Sequence, residues 1–534
     1  MKTSKIYNLL IIALLLGISG CTDLEIEETD SRFPNLSGEF TGVDATESLE
    51  NLYNSVRGQV QTQEDMYGII EVSSDEFLVP TRGTDWGDNG VWRSLHGHTW
   101  STTHNLIKNT WNALNSNVYN ATTIIDPLSE PTPQQAAEAK FIRAYSMFWL
   151  MDLFGQVPFR SPQDGPDVNP SVMTRTEAYE FAVKDLTEAI SDLPSTGPGE
   201  GLIKASKASA RYLLAKLYLN KHIYTGAESP NPADMTQVVE LVDDIQADGF
   251  ALQEGYFELF TNDTDTETIF FTTSDIGSRI WNGLHYNQGA PDNTGGGWNG
   301  FTTLAEFYDL FEGDPNINTP GSGQEERRGY VPLAGVPSDQ PDGDDEDNLP
   351  DDDIDEDGIK DGSNIGFGFL IGQQYGPNGE KLKDRQGNDL VYSKELPGLL
   401  GNNERTGIRV LKYSPVNGSF ATHMVLYRYA DAHLMKAEAI MRGGSSGEDA
   451  LTLVNELRTI RGATPLGSLT EQDLLDERGR ELYGEYWRRN DQIRFGTFTD
   501  TWEFKDNTEE FRVLFPIPET AIITNPNLIQ NEGY

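Results

Sequence analysis

Three stretches of this sequence place apolar residues at alternating steps of four and three, with small and large side chains taking turns. The stripes are Ala137, Phe141, Ala144, Phe148 and Met151, then Ala208, Tyr212, Ala215 and Leu219, and then Ala430, Leu434, Ala437 and Met441. This spacing puts each stripe on one face of an α-helix. Because small residues let two helices approach closely, the pattern predicts helices packed in antiparallel pairs, as in helix-turn-helix repeat proteins.

Other helical patterns supply partners for these stripes. They cover residues 44–60, 176–193 and 235–247, and helical periodicity returns over 426–495. We therefore expect a right-handed stack of about four helical pairs, similar to tetratricopeptide repeats but without their full consensus. Residues 511–534 are expected to be extended, because their prolines cannot continue a helix.

Between residues 250 and 425 the sequence is rich in Gly, Asn, Asp and aromatic residues and has few helical periods. Loops of this length are usually functional or disordered. Short strand-like runs contain Phe270, Phe271, Ile371 and Val410. The sequence thus predicts a mainly α fold in one domain, 41–534. Its helical scaffold lies mainly in 41–250 and 426–495, and its loop-rich ligand face, with minor short β-strands, lies in 250–425.

The N-terminus has the pattern of a secretion signal. Lys2 and Lys5 precede an apolar run over residues 6–16, and small residues then lead to Cys21. This pattern predicts a lipoprotein signal peptide over 1–20. Cys21 is the only cysteine, and its place just after the apolar run favours a lipid-modified first residue over a free or core thiol. The polar, acidic stretch 21–40 is predicted to be a flexible tether.

The charge balance is strongly acidic, with 40 Lys and Arg against 84 Asp and Glu and a net charge of -44. Binding to nucleic acid or to an anionic lipid surface depends on clustered Lys and Arg. The composition therefore excludes nucleic acid as a partner and favours neutral ligands or divalent cations.

One acidic run has the spacing of a calcium loop, within an acidic insertion over residues 339–364. The candidate ligands are Asp353, Asp355, Asp357, Ile359 and Asp361. Carboxylates at positions one, three, five and nine, with Gly358 at position six, match the oxygen-rich loops that bind calcium. Position twelve is Asn364 instead of a bidentate Glu, and a solvated acidic loop is the alternative. The calcium would be structural, since no cofactor for catalysis is expected.

Two segments combine aromatic and polar side chains without helical periodicity, at residues 82–93 and 281–298. Sugar rings present apolar C–H faces and hydroxyl groups, so a glycan site needs exposed aromatic faces beside amide, carboxylate or guanidinium groups. The candidate ligand contacts are Trp86, Trp281, Trp298, Arg82, Asn89, Trp92 and Tyr286. The alternative is that the aromatic rings cap the core. Apolar neighbours favour the core for Trp92, whereas polar neighbours on both sides favour a ligand for Trp86 and Trp281.

Catalytic patterns are weak in this sequence. In so acidic a chain some pair of carboxylates always resembles a glycosidase pair, so such pairs carry no information. His96, His98 and His104 form the only histidine cluster, and no third-ligand pattern of a zinc site accompanies it. No phosphate-binding loop or nucleophile elbow is evident. We therefore predict no catalytic residues.

Several motifs in order resemble those of the SusD/RagB proteins, surface lipoproteins of Bacteroidetes nutrient-uptake systems. The motifs are AKFIRAY at 139–145, LFGQVP at 153–158, RYAD at 428–431, KAEA at 436–439, NELR at 455–458 with Arg461, Glu477-Arg478, Glu481-Leu482, and NPNLIQNEGY at 525–534. The sequence departs from the pattern at Tyr486, where many members carry glycine. Arg478, Glu481 and Glu485 have helical spacing and are expected to pair with neighbouring helices.

The resemblance implies a SusD-like fold with a ligand site on the loop-rich face and a SusC-like TonB-dependent transporter as partner, over which the protein acts as a lid. Glycan binders of the family place their aromatic cradle in the regions that correspond to 82–93 and 281–298. The acids after the cysteine resemble the signal that sends Bacteroidetes lipoproteins to the outer leaflet; they are Asp23, Glu25, Glu27 and Glu28.

The leading functional hypothesis is a non-enzymatic glycan-binding lipoprotein. It would capture an oligo- or polysaccharide, for example a neutral glucan such as laminarin or starch, and deliver it to the transporter. The lipid anchor would hold the protein in the cell outer membrane, facing the exterior. Two alternatives stay open at this point: a peptide-binding RagB-like lipoprotein and a lipoprotein glycoside hydrolase.

Overall fold

The computed structural model describes residues 39–165, 167–199, 201–261, 264–273, 282–288, 296–334, 365–376, 379–413 and 423–534. Residues 41–534 cluster into one unit by their contacts. Several predictions fall on residues outside the described ranges: the signal peptide, the tether to residue 38, Cys21, Trp281, and the calcium candidates Asp353, Asp355, Asp357, Ile359 and Asp361.

Fourteen α-helices are present in the described part of the chain. They are α1 (Ala45–Gln61), α2 (Asp65–Glu71), α3 (Val91–His96), α4 (Asn105–Ile125), α5 (Pro133–Phe154), α6 (Arg175–Ala189), α7 (Lys207–Thr225), α8 (Pro232–Ala247), α9 (Ala305–Tyr308), α10 (Tyr429–Met441), α11 (Ala450–Ile460), α12 (Glu471–Leu482), α13 (Arg488–Phe495) and α14 (Glu519–Thr524). A continuous stack runs through α1, α4, α5, α6, α7, α8, α10 and α11, each packed on the next. This stack confirms the predicted repeat-like helical scaffold.

Helix α5 is the centre of the stack and shows how the sequence defines a helix. Thr132 and Gln135 form a reciprocal capping box at its start, Pro133 occupies the first helical position, and Gly155 ends it with a φ of 73°. These are the residues that helix ends prefer. From Phe141 to Phe154 every side chain is buried, so neighbouring helices surround α5.

The strands are short and pair in small antiparallel sheets. They are β1 (Phe77–Leu78), β2 (Gln156–Phe159), β3 (Ser171–Thr174), β4 (Thr268–Thr272), β5 (Thr302–Thr303), β6 (Gly329–Tyr330), β7 (Phe367–Leu370), β8 (Gly372–Gln373), β9 (Val391–Tyr392), β10 (Arg409–Leu411) and β11 (Met424–Arg428). The pairs are β1–β5, β2–β3, β4–β11 and β8–β9, and β7 lies between β6 and β10. Phe270, Phe271 and Val410 lie in strands as predicted, whereas Ile371 lies between β7 and β8.

Two sequence predictions about local structure are wrong. Segment 82–93, expected to be non-helical, turns into α3 at Val91, after a 3₁₀ turn and Gly90 with a φ of 86°. The C-terminal stretch, expected to be extended, contains α14 directly after Pro518. Proline is tolerated at the start of a helix, because the first backbone N–H groups have no partner within the helix.

Three apolar clusters occupy the interior of the described part of the chain, and the smallest packs α10 against α11 through Leu434 and Leu453. The largest one fills the helical stack and includes Phe141, Phe148 and Tyr212. A second cluster lies beneath the loop-rich part of the chain and includes Leu284 and Phe369. Trp92 belongs to the largest cluster and Leu284 to the second, so the two segments predicted to carry ligand contacts rest on different parts of the core.

A buried ionic cluster connects α12 to both parts of the chain. Arg428 donates to Glu481 at 2.6 Å, Arg461 donates to the same carboxylate at 3.1 Å, and Arg327 also does so at 3.1 Å. Arg478, one turn earlier, donates to Asp431 of α10 and to Asp491 of α13, both at 2.7 Å. The predicted pairing of Arg478 and Glu481 with neighbouring elements is confirmed.

Glu485 belongs to the same cluster, and the chain then turns through Tyr486. Arg428 donates to Glu485 at 2.8 Å, which confirms the pairing predicted for that residue. Tyr486 has a φ of 74°, in the left-handed region where glycine is favoured, so the family's glycine suits this backbone. The tyrosine ring is buried and its hydroxyl donates to the Val60 carbonyl at 2.8 Å, which offsets the strain.

Substituting Glu477 tests the ionic cluster. Burial alone would raise the pKa of this carboxyl, but the guanidinium groups of Arg327, Arg480 and Arg458 lower it to about 2. Its contribution to stability is therefore complete above the unfolded pKa of about 4.3 and is lost as the pH falls through about 2. We expect Glu477→Gln to lower the free energy of unfolding at pH 7 by about 3–5 kcal/mol, measured by urea denaturation.

The matched control is Glu471→Gln, at an exposed position in the first turn of the same helix. We expect it to change stability by about 0.5 kcal/mol or less. An equal effect of the two substitutions would contradict the role given to the cluster.

Candidate ligand-binding site

The second segment predicted to carry ligand contacts folds back on itself. Residues 296–300 run beside 282–288: the Gly297 amide donates to the His285 carbonyl at 2.8 Å, and the Asn299 amide donates to the Leu284 carbonyl at 2.8 Å. A Cβ on Gly297 would clash with the Leu284 carbonyl. Glycine is therefore required for this close approach of two backbones.

Trp86 joins the first segment to the second. Its indole Nε1 donates to the Trp298 carbonyl at 2.8 Å, and its ring lies against the α-carbon of Gly300 and meets Phe301 edge-on at 6.3 Å. The ring is half-buried. Trp86 therefore positions the backbone of Trp298 and offers a ligand only part of its own surface.

Trp298 is the exposed tryptophan of the described residues, with 43% of its surface accessible. Its backbone is fixed on one side by Trp86 and on the other by the Asn299 amide, which donates to the Leu284 carbonyl. A large aromatic face on a fixed backbone is the surface on which a flat apolar group can stack at little entropic cost.

A polar cluster lies where residues 85, 286, 385 and 404 converge. The Tyr286 hydroxyl donates to Asp85 Oδ2 at 2.5 Å, and Arg385 donates to the same oxygen at 3.1 Å. The Arg385 guanidinium lies 3.7 Å from the centre of the Tyr286 ring, and its Nε donates to Glu404 at 2.6 Å. Asp85 and Arg385 are 37% and 49% exposed, so the cluster faces solvent with its geometry already fixed.

His285 sits below this cluster and supports Glu404. Its Nδ1 accepts from the Asn287 amide at 3.0 Å, which assigns the proton to Nε2, and Nε2 donates to Glu404 at 3.0 Å. Burial lowers the pKa of His285 to about 4, so the ring is neutral at pH 7. Burial alone would raise the pKa of Glu404, but its bonds from Arg385 and His285 lower it.

The pKa of Asp85 is also lowered, first by the hydrogen bond from Tyr286 and then by Arg385. Both carboxyl groups of the cluster are therefore ionised at neutral pH. Each can accept hydrogen bonds from hydroxyl groups, and neither holds a proton to give to a leaving group.

Arg82 and Arg409 are buried and hold the loop that carries Glu404. Arg82 donates to the carbonyls of Asn403 and Thr406 at 2.9 and 2.6 Å. Arg409 donates to the Glu404 carbonyl at 2.9 Å and to Asn299 Oδ1 at 2.7 Å. The assignment of Arg82 as a ligand contact is therefore corrected: its surface is 4% exposed, and it positions the loop.

The assignment of Trp92 needs the same correction. Its surface is 3% exposed, its Nε1 donates to Asp88 at 2.9 Å, and its ring contacts Phe301 edge-on at 5.3 Å. No ligand can stack on it in this conformation. Asn89 is exposed on the turn before α3, and Trp281, outside the described residues, stays a prediction.

Arg385 and Glu404 were missed by the sequence analysis. Arg385 lies in a polar turn, Asp384-Arg385-Gln386-Gly387-Asn388, that is closed by a bridge between Lys383 and Asp389. The composition predicts a turn. The turn lies about a hundred residues after Tyr286 in the sequence, and the fold brings Arg385 into contact with it.

The histidine cluster does not converge on a metal position. His96 Nε2 pairs with the Glu503 carbonyl and His98 Nε2 with the Ser73 carbonyl, both at 2.8 Å. Burial lowers the pKa of both rings. Within the described residues, no group of three or more His, Cys, Asp or Glu side chains could hold a metal ion.

In the same ranges, no helix has both the length and the apolar character needed to cross a membrane.

Family models match both ends of the chain. The model described as "SusD family" matches residues 266–534, about half of the chain. The chain belongs to the SusD family. A second model, described as "Starch-binding associating with outer membrane", matches residues 27–219.

One SusD-family protein matches over the full length, and another matches over part of the chain. The starch-binding protein SusD of Bacteroides thetaiotaomicron is 26% identical, with 100% of each chain covered, and SusD-like protein P38 of Formosa agariphila is 30% identical over 29% of this chain and 33% of its own. A solved laminarin binding SusD-like protein superposes with a TM-score of 0.66 at 20% identity, covering 93% of this chain and 100% of the other.

A second solved structure is surface glycan-binding protein A from Bacteroides thetaiotaomicron in complex with laminarihexaose. Its TM-score is 0.63 at 17% identity, over 91% of this chain and 98% of that one. At these identities the solved structures establish the fold. The mainly α, SusD-like architecture expected from the sequence is confirmed.

Proposed function

We propose that this SusD-family protein binds glycans at the surface formed by Trp298, Tyr286 and the Asp85–Arg385 pair. The observation that carries the proposal is the exposed Trp298 face on a fixed backbone. Its neighbour Asn299 donates to the Glu404 carbonyl at 3.1 Å, and Trp86, which holds it, follows Asp85, so the polar groups are linked to the same backbone. A pyranose ring can stack on the indole while its hydroxyls bond to carboxylate and guanidinium groups. The starch and laminarin named for relatives support this ligand class.

The net charge of the protein favours a neutral glycan. Asp85 and Glu404 are both ionised and already accept hydrogen bonds from Arg385. An acidic sugar would be repelled over long range by a protein whose net charge is -44. We therefore name a neutral glucan, such as laminarin or starch, as the first ligand to test.

We propose binding without catalysis. A glycosidase needs one carboxyl group that stays protonated at the working pH to act as general acid. In this cluster the pKa values of Asp85 and Glu404 are both lowered. The site therefore suits capture and release of a sugar chain.

We further propose that Cys21 carries the lipid anchor and that the protein serves a SusC-like TonB-dependent transporter in the outer membrane, facing the exterior. Support comes from the small-residue approach to Cys21, from the acids that follow it and from the family description that names the outer membrane. More than one acyl chain gives stable attachment.

Calcium in the acidic insertion is also a proposal. Asp353, Asp355, Asp357 and Asp361, with the Ile359 carbonyl, have the alternation of a calcium loop. Repulsion between these acids would be relieved by a bound divalent cation.

Substitution of Trp298 tests the glycan site. We expect Trp298→Ala to weaken laminarin or starch binding about tenfold, as for a central aromatic contact, measured by isothermal titration and by retardation in affinity gels. Stability should change little, because the side chain is exposed. Tyr119→Ala is the control, since Tyr119 is 40% exposed but lies on α4.

The outcomes separate the alternatives. Unchanged glycan binding in Trp298→Ala would remove the site assignment. If basic peptides bind with higher affinity than any glycan in isothermal titration, peptide capture replaces glycan capture as the proposed function. Release of reducing sugar from a bound glycan would indicate a hydrolase.

Replacement of Cys21 tests the anchor. We expect Cys21→Ala to move the protein from the membrane fraction to the soluble fraction, because the acyl chains are lost. Alanine at Asp23, Glu25, Glu27 and Glu28 should leave the protein membrane-bound but protected from protease on intact cells. Protease cleavage on intact cells that is as fast as for the wild type would contradict the role of these acids in export to the outer leaflet.

Calcium binding is tested by thermal unfolding. We expect calcium to raise the Tm relative to EGTA, because a ligand that binds only the folded state stabilises it. Asp355→Asn with Asp357→Asn should abolish the difference. A Tm that is the same in calcium and in EGTA would rule out the site.

A further inference from the structure

A cavity lies between the 3₁₀ turn at 257–260 and residues 321–330, and Trp298 is not among its lining residues. Its volume is about 540 Å³, within the range of about 300–1,000 Å³ that small-molecule sites occupy. None of its lining residues belongs to the cluster around Arg385.

Aromatic rings form one wall of this cavity. Phe257 stacks on Phe367 with ring centres 5.1 Å apart, and Tyr330 meets Phe367 edge-on at 5.7 Å. Phe257 and Tyr330 are half-buried, so part of each ring faces the opening. On the other side, Gly321 and Gly323 have open space where a side chain would be, which leaves the mouth unobstructed.

Every charged residue that lines the cavity is acidic: Glu258, Glu325 and Glu326. Glu325 is already paired with Arg327 inside the protein. Glu258 is exposed, and Glu326 uses one oxygen to accept the Tyr256 amide at 2.6 Å. Within the described residues, no hydrogen bond reaches the second oxygen of Glu326, and burial raises the pKa of this carboxyl. A cation in the cavity would stabilise its ionised form.

We infer that this cavity binds a protonated amino sugar. The aromatic wall suits the flat C–H face of a pyranose ring, and an ammonium group next to it would gain cation–π attraction and charge-assisted bonds to Glu258 and Glu326. Gln324, which also lines the cavity, offers an amide near the ring hydroxyls. A lysine side chain supplies the ammonium but no flat face and loses more rotamer freedom on binding.

The inference goes beyond capture at Trp298, because the site is separate and its ligand carries charge. Glucosamine trisaccharide and N-acetylglucosamine trisaccharide are the probes: acetylation removes the positive charge and keeps the rings. We expect the free amine form to bind at least tenfold more tightly in isothermal titration, and its affinity to fall with added salt.

Glu258→Gln keeps the shape of the side chain and removes its charge. We expect about a fivefold to tenfold loss for the amine form, as for a charge-assisted hydrogen bond, and little change for the acetylated form. Glu254→Gln is the matched control, since Glu254 is exposed in the same loop and does not line the cavity. Glu258→Gln should also leave laminarin binding unchanged, which separates this site from the proposed glycan surface.

Equal affinity for the two trisaccharides, or equal binding of the amine form by wild type and Glu258→Gln, would overturn the inference. Trilysine that binds as tightly as the glucosamine trimer and loses the same affinity in Glu258→Gln would overturn the sugar assignment.

Discussion

The buried ion pairs around α12 hold the helical stack and the loop-rich part in one arrangement. Glu481 receives hydrogen bonds from Arg428 at the start of α10, from Arg461 at the end of α11 and from Arg327 in the loop-rich part. Three segments far apart in sequence therefore share one carboxylate. Removing one member of such a network leaves the others buried without a counter-charge, which costs far more than an exposed ion pair contributes.

Buried charged side chains also fix the geometry of the candidate site, but their partners there are different. Arg82 and Arg409 are buried, and their partners are mainly backbone carbonyls of the 403–407 loop. This arrangement fixes the loop without neutralising the arginines, and burial lowers the pKa of Arg409 to about 10. The fixed loop presents Glu404 to Arg385, which in turn lies on Tyr286. The polar groups of the site are thus held by buried charges that no ligand touches.

The sequence predicted the scaffold better than the site, for a physical reason. Helical stripes such as Ala208 to Leu219 and caps such as Thr132 act over a few residues, so the sequence records them directly. Segment 281–298 was singled out by its composition, but the close backbone approach of Gly297 to Leu284 is visible only in the fold. The burial of Trp92 and Arg82 depends on Phe301 and on the 403–407 loop, which lie two to three hundred residues away. No local pattern encodes such contacts.

The distribution of charge over the protein explains why the two proposed sites favour different ligands. Inside the protein, carboxylates and guanidiniums neutralise one another, as around Glu481 and Arg478. The net charge of -44 must therefore be carried by residues outside this buried network. Long-range repulsion disfavours acidic ligands at every exposed site, and local geometry decides the rest. At Trp298 the acids are hydrogen-bonded to Arg385 and a neutral ring is favoured, whereas in the cavity beside Phe257, Glu258 and Glu326 form no ion pair with any described residue and favour an amine.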